Sequence, residues 1–102
     1  MNYSATLELV ETKKEANKDS QIILKVYAAP QGFVYSIDVK LGRFIRSHYP
    51  NPTDEKFCDI SAAKRAAIRR IRALAKSAPN AKKHLAALRH IQMEGQLELF
   101  DF

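Results

Sequence analysis

The chain has 102 residues, is 46% hydrophobic and 27% charged, and carries a formal net charge of +6 with a pI near 9.6. That is the length of one small domain with a modest core, and the apolar content is too high for a wholly disordered chain. A single cysteine, Cys58, rules out an internal disulfide and fits a reducing compartment, while the basic balance points to polyanionic partners.

Residues 3–11 alternate well enough for a strand, with Ala5, Leu7 and Leu9 on one side. Thr12 to Ser20 holds charged and polar residues and no large apolar one, which reads as a solvated loop. Gln21 to Ala29 and Gly32 to Leu41 are both β-rich. In the second run Phe33, Tyr35, Ile37 and Val39 share one face, and Val34, Ser36, Asp38 and Lys40 the other. Pro30-Gln31-Gly32 between them is a tight-turn signal, so the pair is expected to form a hairpin. Arg43 to Tyr49 is a short further strand. Pro50 and Pro52 end it in a loop, because two prolines remove ladder donors. Lys56 to Asp59 is read as extended, leading into a helix.

That helix, Ser61 to about Ser77, is the clearest element, with Ser61 as its expected N-cap and Lys64 where a capping-box acid would stand. At 100° per residue, Ile60, Ala63, Ala67, Ile71, Leu74 and Ala78 gather on one stripe, with Ile68 and Ala75 at its margin. Pro79 interrupts, and Ala81 to Met93 is expected to form a second helix with Ala81, Leu85, Leu88 and Ile91 as its apolar stripe, ended by Gly95. The expected architecture is α+β: a three- or four-stranded antiparallel sheet followed by two C-terminal helices packed on one face, residues 1–94, with a short tail at 95–102.

Charge is distributed unevenly. Ser61 through Met93 holds nine lysines and arginines and no acid, whereas the rest of the chain has eight bases against eleven acids. Arg65, Arg69, Arg72 and Lys76 fall on the side opposite the apolar stripe at spacings of four, three and four. Like charges at helical spacing repel one another, a cost that a polyanion relieves. These four, with Lys64 and Arg70 from the same helix, are the candidate nucleic-acid contacts, on DNA or RNA; the alternative is a solvated outer face. Tyr27, Phe33 and Tyr35 offer base-stacking surfaces if they face outward, and core if they do not.

Little in the sequence suggests catalysis. His48, His84 and His90 share no metal-ligand spacing, Cys58 lacks a nearby base, and Asp38, Asp54, Glu55 and Asp59 do not pair on one element. There is no glycine-rich phosphate loop. The expectation is a non-catalytic protein without cofactor or metal, soluble and cytoplasmic, since no run reaches membrane-spanning length.

The tail carries the most distinctive signal. Gln96-Leu97-Glu98-Leu99-Phe100 resembles the peptide by which bacterial polymerases, mismatch-repair proteins and replication regulators dock on the DNA sliding clamp. The family pattern is glutamine, leucine, a serine or acidic residue, leucine, phenylalanine. The resemblance covers five residues. It implies Gln96 as the polar contact at the rim, Leu99 and Phe100 as pocket anchors, Leu97 as an apolar support, and Glu98 at the position that is often serine or aspartate. A last β-strand is the other reading, since Leu97 and Leu99 alternate with Gln96 and Glu98; Phe100 breaks that alternation. The resulting expectation is a bacterial, phage or plasmid replication or repair accessory protein that docks on the clamp and touches DNA with a basic helix. The alternatives are a nucleic-acid-binding module with a structural C-terminal strand, or a small regulatory protein-interaction domain. In layout, though in no residue motif, sheet then basic helix is similar to the small three-stranded DNA-binding domains that begin some tyrosine recombinases.

Overall fold

The computed structural model describes residues 6–16 and 18–79, and the fold is α+β. Four strands, β1 (Glu8–Ala16), β2 (Ser20–Ala29), β3 (Gly32–Leu41) and β4 (Phe44–His48), form an antiparallel sheet in sequential order. One helix follows, α1 (Ile60–Lys76). The expected second helix over Ala81–Met93 and the tail at 95–102 lie outside the described residues, as do residues 3–5 of the first expected strand.

The β2–β3 hairpin forms as the alternation requires. Ala29 pairs with Gly32 across a two-residue Pro30-Gln31 turn, and Leu24 with Ile37 and Ile22 with Val39 further along. Ile22, Leu24 and Val26 of β2 and Ile37, Val39 and Leu41 of β3 thereby face α1, which lies across these two strands. Ala63, Ala67, Ile68, Ile71 and Ala75 meet them from the helix, all nearly inaccessible to solvent. Three of those five are alanines, whose small side chains let the helix approach the sheet closely. Ala78, just past the helix, closes the same cluster.

The first strand departs from expectation. β1 extends to Ala16, so most of the stretch read as a solvated loop is paired, Thr12 with Lys25 through Ala16 with Gln21. It is an edge strand, exposed along most of its length, and its lysines and glutamates suit an edge that must not recruit other strands. A register shift between Leu9 and Glu11 breaks the alternation, and Leu9 is 51% exposed. The loop shrinks to the connection before Ser20.

The N-terminus of α1 also differs. Asp59, not Ser61, is the N-cap: its carboxylate accepts the Ala62 N–H at 2.7 Å, and its backbone is extended. An aspartate at the cap satisfies an orphan donor and places negative charge at the positive end of the helix dipole, which a serine two residues later cannot do.

Phe57 makes a long-range closure outside the strands. After β4 the chain leaves the sheet at Pro50 and returns, so that Phe57 and Phe33 exchange both backbone hydrogen bonds at 2.9 Å. Gly32 makes this return possible. Its φ is +142°, and a Cβ there would lie 2.8 Å from the Phe57 carbonyl oxygen. Gly32→Ala is therefore expected to destabilise the fold by about 1–3 kcal/mol. Thermal denaturation would show a clearly lowered Tm, and an unchanged Tm would contradict this view of the closure.

Candidate nucleic-acid interface

Helical geometry sorts the six basic candidates into three groups. Arg65, Arg69, Arg72 and Lys76 lie opposite the buried stripe of α1; Arg69 and Lys76 are exposed and Arg65 and Arg72 half-buried. Over eleven residues the row spans about 16 Å at about 1.5 Å of rise per residue. That is roughly five phosphate steps of one strand at about 3.4 Å each. There is no acid in the first turn of α1 or anywhere along it, so nothing on the helix neutralises the row.

Lys64 does not belong with them. It lies within the buried arc, 5% exposed, and its ammonium pairs with Glu11 of β1. The aliphatic stem crosses the core stripe while the charge reaches the sheet edge. Among the described ion pairs this one ties α1 to β1, whose backbone is paired with β2. Lys64 is thus packed between helix and sheet, away from the outward row with which it was grouped as a candidate nucleic-acid contact.

Arg70 takes a third position, on the flank of α1 beside Ala66. Its guanidinium donates to the Tyr35 hydroxyl, a long contact of 3.4 Å. Both arginines 69 and 70 border a pocket of about 270 Å³ that lies between α1, the sheet and the proline loop. Tyr35, His48 and Phe57 supply ring surfaces there: the Tyr35 centroid is 5.7 Å from His48 and 6.3 Å from Phe57. Asp54 and Glu55 supply carboxylates.

The proline loop is held firmly enough to be a wall. Asp54 Oδ2 contacts His48 Nε2 at 2.9 Å and accepts the Asn51 N–H at 3.1 Å. Lys56 Nζ donates to the carbonyls of Pro52 and Asp54 at 2.8 and 2.9 Å. No spacing along the chain signals that His48, Asp54, Glu55 and Tyr35 converge. They sit on separate elements, and the Phe33–Phe57 pairing, with the His48–Asp54 contact, brings the loop back to the sheet.

The tyrosines divide between the two faces. Phe33 and Tyr35 pack against the core cluster on the helix side. Tyr27 pairs with Val34 on the opposite face, where its hydroxyl lies 3.3 Å from Ser36 Oγ. On that face Ser47 and Tyr49 both donate to Asp38 Oδ1, at 2.6 and 2.7 Å. The bond to the Asp38 carboxylate raises the Tyr49 pKa above its ordinary 10.0, offset in part by Ser47. Tyr49 and Ile45 are exposed, at 62% and 58%.

Cys58 is exposed, and its thiol faces the Asp59 carboxylate at 3.8 Å. Among the described residues no three metal-ligating side chains cluster, and no helix is long and apolar enough to cross a membrane. His84 and His90, like the clamp-binding-like residues Gln96, Leu97, Glu98, Leu99 and Phe100, lie outside the described residues. No family model, curated protein or solved structure matches this chain.

Proposed function

We propose that this chain is a non-catalytic accessory protein of bacterial, phage or plasmid DNA replication or repair, which docks on the DNA sliding clamp through Gln96–Phe100 and contacts DNA with α1. The observation that carries the DNA half is the acid-free row Arg65, Arg69, Arg72 and Lys76, turned away from the core of a helix whose other side is firmly seated on the sheet. A line of cations on a seated helix is suited to a phosphate backbone, because the backbone that spaces them needs no ordering before contact. What supports the clamp half is the peptide itself, with two adjacent large apolar groups, Leu99 and Phe100, behind a glutamine. In the sequence the acid-free segment continues past α1 to Met93 and adds Lys82, Lys83 and Arg89.

The two contacts work together. Clamps encircle DNA, so a protein held by its tail brings α1 to the duplex at high effective concentration, and each weak contact strengthens the other. Docking through the tail recruits the protein to replicating DNA and competes with polymerases for the same groove. The test is whether the full chain binds a clamp loaded on DNA more tightly than the same clamp alone.

A further inference from the structure

The pocket beside α1 combines three kinds of chemistry that few ligands match at once. Arg69 and Arg70 bring two guanidinium groups to one side. Tyr35, His48 and Phe57 form a ring-lined wall. Asp54 and Glu55 bring hydrogen-bond acceptors on the loop side. A bare phosphate would be drawn to the arginines and repelled by the carboxylates. A simple cation would meet the reverse conflict, and an apolar molecule would strip water from charged groups without replacing it. A nucleotide offers a part to each: phosphate to guanidinium, a flat π-face to the rings, and N–H groups on the base edge to the carboxylates.

We infer that this pocket receives a single unpaired nucleotide of the DNA that lies along α1. This deepens the proposed function and rests on its DNA half. Arg69 belongs both to the outward row and to the pocket rim, so one strand can run along Arg65, Arg72 and Lys76 and turn a nucleotide inward at Arg69. The pocket's volume of about 270 Å³ leaves room for one heterocycle. A paired base cannot reach these walls without leaving its stack. The preference therefore falls on gaps, bulges, mismatches or single-stranded ends, where unpairing costs little.

The test uses the full chain and two short DNAs of the same sequence, one fully paired and one with a single unpaired nucleotide carrying a fluorescent base analogue. The wild-type chain is expected to bind the second DNA about tenfold more tightly, the gain typical of one stacked base, and the analogue's emission changes on binding. Glu55→Gln abolishes that preference and the emission change while binding to the paired duplex stays within about twofold; Arg70→Gln abolishes both as well, and lowers duplex binding by the several-fold that one lost cation costs. Circular dichroism confirms that each variant is folded; Glu55 lies on the exposed loop and supports no core residue. Equal binding of both DNAs by the wild type overturns the nucleotide pocket and leaves the basic row standing. Absence of salt-sensitive binding to either DNA overturns both.

Discussion

Leu99→Ala/Phe100→Ala is expected to lower affinity for a purified sliding clamp by about a hundredfold or more, with DNA binding unchanged. Interfaces of this kind concentrate their energy in a few desolvated anchors, each worth about 2 kcal/mol or more on truncation. Two such losses together give roughly 4 kcal/mol, near a thousandfold at about 1.4 kcal/mol per factor of ten. Adjacent anchors in one pocket do not add fully, so the lower figure is the firm expectation. Surface plasmon resonance on immobilised clamp reads the difference. Equal binding by the double variant would remove the clamp from the account and return Gln96–Phe100 to the strand reading.

The second large effect concerns α1. Replacing Arg65, Arg69 and Arg72 together by alanine removes three cations from the outward row. If each neutralises one phosphate, the slope of log affinity against log salt falls by roughly 2.7, at about 0.9 per phosphate on duplex DNA. Near 0.1 M salt the same arithmetic gives a loss of about a hundredfold or more. None of the three belongs to the buried cluster, so the fold is expected to persist. Lys64 is deliberately excluded, since removing it would strand the Glu11 carboxylate and weaken the tie between α1 and β1. An unchanged slope in the triple variant would place the DNA contact elsewhere or nowhere.

The parts of the fold with strong periodicity were legible from sequence alone. Ile22, Leu24 and Val26 alternate, and Ile60 to Ala75 recur at helical spacing, so the β2–β3 hairpin and the helix declared themselves. β1 did not, because an edge strand buries little and can carry Lys13, Lys14 and Glu15 at no cost. Local polarity imitates a loop there, and only pairing with β2 decides otherwise. At Lys64 charge and helical position point opposite ways. Its helical angle places it inside the buried arc between Ile71 and Ala75, so the wheel located it correctly while its charge suggested the surface. The partner that resolves the conflict, Glu11, lies 53 positions earlier in the chain.

The pocket was beyond sequence reasoning for a related cause. Tyr35 is on β3, His48 ends β4, Asp54 and Glu55 are in the loop, and Arg70 is on α1. No motif spacing links them. The long return of the loop to Phe33, allowed by the left-handed backbone at Gly32, creates the neighbourhood. The outward row on α1 was legible because its spacing is that of one helix, a local property that tertiary packing left intact.

The most direct measurement compares the full chain's affinity for free clamp with its affinity for clamp closed on circular DNA, at near-physiological salt. Simultaneous tail and α1 contacts predict at least a tenfold gain on DNA, since linked sites of this kind gain about a hundredfold or more when both can engage. That gain disappears in the arginine triple variant. Equal affinities for free and DNA-loaded clamp would contradict the account, leaving the tail and the helix as unconnected features of one small protein.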